Sequence, residues 1–183
     1  MTGMNVESMY QEIILDHYRR PHHAQLRDPF DVAVHHVNPS CGDEIELRVR
    51  LTGEPGVETI DDVSYEAVGC SISQASTSVM TDLVIGRTVT DANAVYEEFR
   101  TMMHGQGRVE PDEEVLDDGI AFAGVAKFPA RIKCALLGWS AWRDAAAAAL
   151  AARESADAAS AHDAAPTQTP TLDSTDAVTG GHR

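Results

Sequence analysis

Residues 44–51 read EIELRVRL, an unbroken alternation of charged and apolar side chains. Ile45, Leu47, Val49 and Leu51 share one face, and Glu44, Glu46, Arg48 and Arg50 share the other. A period of two is that of a half-buried strand; a helix would scatter these side chains around its axis. Such a strand needs neighbours for its backbone and a cover for its apolar face. Turn chemistry stands on both sides, NPSCG at 38–42 and TGEPG at 52–56. Residues 32–37, VAVHHV, and 63–68, VSYEAV, supply the neighbouring strands. Connections this short make the three strands an antiparallel meander.

Helical spacing surrounds the meander. In VESMYQEIILDHYRR, 6–20, the residues Val6, Met9, Tyr10, Ile13, Ile14 and Tyr18 recur at helical intervals, with Asn5 as cap and Pro21 as stop. A second helix is predicted over 71–86, closed by Gly86, and a third over 91–105, capped by Thr90. A polar, acidic stretch follows at 106–118. The longest helical pattern is 128–153, with Pro129 suited to its first turn. Strands first and helices after predict an α+β fold: a three-stranded antiparallel sheet packed by helices on one face. The pattern assigns 1–153 to one folded domain. From 154 to 183 the chain turns to Ala, Asp, Thr, Ser and Pro, with few apolar side chains to offset the entropy of ordering, and is expected to be a disordered low-complexity tail.

The 183 residues carry 29 acidic against 14 basic side chains, a formal net charge of −15. That balance argues against nucleic acid, whose phosphates demand a basic face. No run of apolar residues is long enough to span a membrane, and the first residues, MTGMNVESMYQEI, lack the basic start and apolar core of a secretory signal. An odd cysteine count, three, with no export signal points to reduced thiols in a cytoplasm rather than to disulfides.

Those three cysteines all fall near the ends of predicted elements. Cys41 and Asp43 occupy the turn before the second strand. Cys70 follows the third strand, with Ser71 or Ser73 as the expected cap of the next helix, and Cys134 lies near the start of the long helix. A meander brings the start of its second strand and the end of its third to the same sheet edge, so Cys41 and Cys70 are expected to be close. A nearby helix N-terminus favours thiolate over thiol. Three thiolates and a carboxylate are a complete tetrahedral set for zinc. The competing role for each cysteine is that of a small buried hydrophobe, which suits Cys134 best and the turn residue Cys41 least. Asp43 has the competing role of a turn or cap residue. Such a site would be net negative, and Arg131 and Lys133, just before Cys134, could offset it from behind the ligands or simply form the solvated helix face. The paired histidines, His22 with His23 and His35 with His36, would point to opposite faces of a strand. A cap or packing role is expected for His17, and no histidine is assigned as a ligand.

Four segments together resemble the U-type iron–sulfur assembly proteins, and among them the SufU branch: YQEIILDHYRRP (10–21), NPSCGDEIEL (38–47), GCSISQASTSVMTDLVIG (69–86) and FPARIKCALLGW (128–139). The resemblance implies an IscU-like and SufE-like fold and a Zn²⁺ site on Cys41, Asp43, Cys70 and Cys134. It also implies that Cys41 is the catalytic nucleophile, a persulfide carrier taking sulfur from a SufS-type cysteine desulfurase. A SufBCD-type assembly complex would stand downstream, in the cytoplasm. The alternative within the same family is a scaffold assembling a labile [2Fe–2S] cluster on the same ligands. IscU relatives carry a histidine immediately before the last cysteine; here Lys133 stands there, and 87–127 is a long insertion, both features of SufU.

Overall fold

The computed structural model describes residues 5–163. The chain runs α1 (Val6–Arg19), β1 (Val32–Asn38), β2 (Asp43–Thr52), β3 (Thr59–Val68), α2 (Ser71–Val84), α3 (Val89–His104), α4 (Glu113–Leu116), a 3-10 helix (Asp117–Lys127) and α5 (Pro129–Asp163). The sheet order is β1-β2-β3, antiparallel throughout, with Asn38 opposite Asp43 and Leu47 opposite Tyr65.

The alternation in β2 has its expected result. Ile45, Leu47, Val49 and Leu51 are all at most 2 % exposed, and burying each contributes about 1.5–3 kcal/mol relative to leaving it in water. α5 packs across β1 and β2, α2 packs on α5, and α1 lies on α2. Trp139 and Trp142 of α5 are fully buried, with the Phe99 ring stacked 4.6 Å from that of Trp139. α2 is unusual in burying small polar residues, among them Ser73, Ser76, Thr77 and Ser78. Each hydroxyl must find a partner there. Ser76 Oγ donates to the Ala135 carbonyl at 2.7 Å and accepts from Trp139 Nε1 at 3.2 Å, while Thr77 Oγ1 donates back to the Ser73 carbonyl. Small side chains let α2 and α5 approach closely: a Cβ placed on Gly138 would fall 2.3 Å from Thr77 Oγ1.

Asn5 caps α1 as expected, its Oδ1 accepting the Ser8 N–H at 2.7 Å. Several boundaries differ from expectation, β3 among them, which starts at Thr59 rather than at 63. Thr88, not Thr90, caps α3, accepting the Asp91 N–H, so that Val89 can enter the helix and be buried. The acidic stretch at 106–118 is partly helical, because Leu116 and, further on, Phe122 are drawn into the core. α5 runs past 153 through 154–163, into the stretch whose composition reads as tail. Alanine is the strongest helix former and continues a helix already nucleated by packing. Arg153 also holds this part of α5 to the sheet end, donating to the Leu51 carbonyl at 2.7 Å. The rest of the expected tail, 164–183, lies outside the described residues. Among the described residues no helix is long and apolar enough to cross a membrane.

Candidate metal centre

Three elements meet at one edge of the sheet. The β1–β2 turn brings Cys41, the start of β2 brings Asp43, and the first turns of α5 bring Cys134. Their ligand atoms all lie within 4.8 Å of one another. Cys41 Sγ and Cys134 Sγ are 3.5 Å apart. That is far beyond a disulfide bond. It is close to the separation of about 3.8 Å expected between two sulfurs sharing one tetrahedral zinc at about 2.3 Å.

The turn is built to hold this geometry. The Asn38 carbonyl accepts the N–H groups of Cys41 and Gly42, at 3.3 and 2.8 Å. Asn38 Oδ1 accepts the Ser40 N–H at 3.1 Å, and Asn38 Nδ2 points at Cys134 Sγ, 3.9 Å away. Gly42 has φ of +73°, a left-handed conformation that a side chain would strain. Cys41 and Cys70 are exposed and Cys134 is buried.

Asp43 is only 4 % exposed. Its Oδ1 accepts the Cys70 N–H at 3.2 Å, but its Oδ2 is buried without any hydrogen-bond partner among the described residues. Burial pushes the Asp43 carboxyl up, yet the neighbouring Cys41, Cys70 and Cys134 thiols and the Cys70 backbone N–H outweigh it and hold the carboxyl below its ordinary range. An ionised carboxylate with one orphaned buried oxygen, facing two sulfurs, is unfavourable alone and fits a cation. Gly69 forms the wall behind it: a Cβ there would sit 2.7 Å from Asp43 Cγ. Burial first, then the Cys41 thiol and the Cys70 charge, drive the Cys134 thiol well above its ordinary pKa. A thiol raised in this way is protonated at neutral pH.

Cys70 stands beside this set rather than inside it. Its backbone bonds Asp43, but its Sγ caps α2, accepting the Ser73 N–H at 3.5 Å. The cap expected from Ser71 or Ser73 is thus Cys70 itself. Lys133 Nζ reaches Ser40 Oγ, beside Cys41, at 3.4 Å. The Arg131 guanidinium lies 4.9 Å over the Phe128 ring instead. Asn38 and Gly69 carry no role in the sequence pattern. Their contributions, a carbonyl anchoring the turn and an empty space behind a carboxylate, appear only when strands from different parts of the chain meet.

The sequence profile described as the NifU-like N terminal domain matches residues 9–135. The chain belongs to that family. It is 39% identical over 145 residues to the iron–sulfur cluster assembly scaffold protein IscU of Streptococcus pyogenes serotype M1, covering 79% of this chain and 87% of that protein. It is also 39% identical over 137 residues to the zinc-dependent sulfurtransferase SufU of Bacillus subtilis strain 168, covering 75% and 88%. Among solved structures, a protein described as an iron–sulfur cluster assembly scaffold for the SUF system, from Fervidobacterium islandicum AW-1, superposes with a TM-score of 0.64 at 35% identity over 75% of this chain and 96% of its own. A NifU-like N-terminal protein from Brucella abortus gives 0.65 at 25% identity over 76% and 93%. The chain is thus an IscU/SufU-type member of the iron–sulfur cluster assembly proteins, and the α+β architecture expected from the sequence is the family's own.

Proposed function

We propose that this family member is a zinc-dependent sulfur acceptor, taking persulfide sulfur from a SufS-type cysteine desulfurase onto Cys41 and passing it to a SufBCD-type assembly complex. The observation that carries this is the inequality of the thiols. Cys41 is exposed on a glycine-containing turn, whereas Cys134 is buried behind it and Asp43 is fixed by β2 and Gly69. Cys70 is exposed as well, but its sulfur is engaged by the Ser73 N–H at the start of α2, so the thiol on the glycine turn is the one with freedom to leave.

Cys41, Asp43, Cys70 and Cys134 would hold the ion, Cys70 by turning its side chain off the Ser73 N–H. Bound zinc keeps the thiols as thiolates and takes no part in redox chemistry. The Cys41 thiolate attacks the outer sulfur of the desulfurase Cys–S–SH. The S–S bond of that persulfide breaks, a new one forms on Cys41, and the desulfurase cysteine leaves as thiolate, so no electrons are gained or lost overall. Gly42 supplies the freedom for Cys41 to reach out. Lys133, bonded to Ser40, places a cation beside the turn where the attacking sulfur is anionic. The name of the Bacillus relative supports zinc and sulfur transfer.

The Streptococcus relative is named a scaffold, which favours a second function on the same residues, assembly of a labile [2Fe–2S] cluster. Metal content separates the two: a colourless zinc protein supports the first and a brown iron protein the second. Purified desulfurase assayed with and without the chain, with persulfide mapped by mass spectrometry, tests the sulfur-acceptor role. Sulfur on Cys41, and stimulation abolished in Cys41→Ala, are expected; sulfur on Cys70 or Cys134 alone overturns the assignment.

A further inference from the structure

A second cluster of donor groups lies away from the thiols. His17 on α1, His22 in the loop that follows and Asp82 on α2 hold their ligand atoms within 4.8 Å of one another. The His17 and His22 ring centroids are 4.8 Å apart. His22 Nδ1 is 2.6 Å from Asp82 Oδ2, and His23 Nε2 is 3.7 Å from Asp82 Oδ1. Asp82 is twelve residues along α2 from Cys70 (82 − 70), which at the helical rise is about 18 Å. The two clusters are separate.

His17 is only 4 % exposed and its nitrogens are distinct. Nε2 lies 3.2 Å from Asp118 Oδ2 and Nδ1 lies 2.8 Å from Ser78 Oγ. A carboxylate only accepts, so Nε2 carries the proton and Nδ1 presents its lone pair. Ser78 and Asp82 are one turn apart on the same face of α2, so that lone pair is on the side of Asp82. An imidazole whose far N–H rests on a carboxylate is the arrangement that orients metal-binding histidines and raises their basicity. Ser78 Oγ also accepts the His22 backbone N–H at 2.8 Å, which ties the loop to the cluster. A separate observation comes from the sheet. Tyr65 is 2 % exposed, and its hydroxyl has no hydrogen-bond partner among the described residues. Burial pushes its phenol up to about 12, with Ser78 opposing and the Asp82 charge adding to the rise.

We propose that His17, His22 and Asp82 form a second, sulfur-free site for a divalent first-row cation such as Zn²⁺, Fe²⁺ or Co²⁺. Two imidazoles and one carboxylate suit those ions better than Mg²⁺ or Ca²⁺, which prefer all-oxygen sites. His17 binds through Nδ1, releasing the Ser78 hydroxyl that it accepts at 2.8 Å, while Nε2–H stays on Asp118. His22 and Asp82 exchange their mutual hydrogen bond for the ion, and both are exposed enough to admit it, at 49% and 38% of their side chains. The site does not depend on what the thiols bind. The sequence conceals it because His22 and His23 lie in a loop, where His23 has φ of 54°, rather than on a strand whose alternation would part them.

The test is a Co²⁺ titration of the untagged full chain loaded beforehand with one equivalent of Zn²⁺, which the thiolate set takes first and which leaves the histidine site open to Co²⁺. A saturable uptake of Co²⁺ with ligand-field bands of nitrogen and oxygen ligation, lacking sulfur-to-cobalt charge transfer, is expected. His22→Ala and Asp82→Asn should each weaken it roughly tenfold or more, while His104→Ala, at the exposed end of α3, leaves it unchanged. No saturable uptake, uptake accounted for wholly by charge-transfer bands, or equal affinity in His22→Ala and Asp82→Asn overturns the site. If either variant melts early, paramagnetic broadening of the His17 and His22 ring protons in the wild-type chain decides instead: broadening supports the site and its absence overturns it.

Discussion

Gly69→Ala removes no ligand and adds one methyl group. The added Cβ would fall 2.7 Å from Asp43 Cγ, 2.9 Å from its Cβ and 2.9 Å from its Oδ1. Carbon pairs are comfortable at about 3.5–4.0 Å, so the overlap is close to 1 Å. Asp43 is paired to Asn38 in the sheet and cannot retreat with its backbone, so its carboxyl must rotate away. Crowding of this kind costs about 1–3 kcal/mol, and the lost bond from the Cys70 N–H to a charged acceptor about 1.5–3 kcal/mol more. Misplacing the carboxylate should weaken Zn²⁺ binding by about 10–100-fold. Competition against a chelator of known affinity measures this, and a thermal melt checks the fold. Asp43→Ala should lose a similar amount, and the double variant should be no weaker binder than Asp43→Ala, because both act on one carboxylate. Zinc affinity of Gly69→Ala within about twofold of wild type, well below the factor a displaced ligand costs, would refute Asp43 as a ligand.

Stripping zinc should lower thermal stability as well as sulfur transfer. Free zinc at about 100 times its Kd contributes about 2.7 kcal/mol, a Tm change of roughly 5–10 °C in a chain this size; a chelated sample with an unchanged melt speaks against a metal here. Zinc affinity should rise with pH between about 6 and 8, by up to about one decade per unit for each thiol that must lose its proton, and a chelator competition across that range that stays flat would contradict thiolate ligation. Without metal, the raised Cys134 pKa leaves stability unaffected at neutral pH, where folded and unfolded thiols are both protonated. It lowers stability as pH climbs above about 8.5, since the unfolded state then holds fewer protons, and denaturant melts at pH 7 and 9.5 with Cys134→Ala as reference would reveal this. Gly138→Ala, driving a Cβ to 2.3 Å from Thr77 Oγ1, should destabilise by at least about 1–3 kcal/mol while leaving zinc affinity per folded molecule unchanged; a wild-type melt would refute the tight α2–α5 contact.

The elements legible from the residues alone are those whose signals are periodic and local. The alternation of 44–51 fixed which face of β2 is buried, because a one-residue slip would have turned Ile45, Leu47, Val49 and Leu51 to water. The meander's own connectivity brought Asp43 beside Cys70. Relations between groups distant in the chain emerge only once the elements pack. The end of α5 was illegible because composition could not weigh alanine's helix propensity against the lack of a core to pack on. The N-cap of α2 went to a sulfur because Asp43, 27 residues earlier, holds the Cys70 N–H. Asp43 Oδ2 is orphaned only because three separate segments close over it, and His17, His22 and Asp82 converge only because α1 lies on α2. Backbone pattern is a property of neighbours in sequence; a coordination site is a property of neighbours in space.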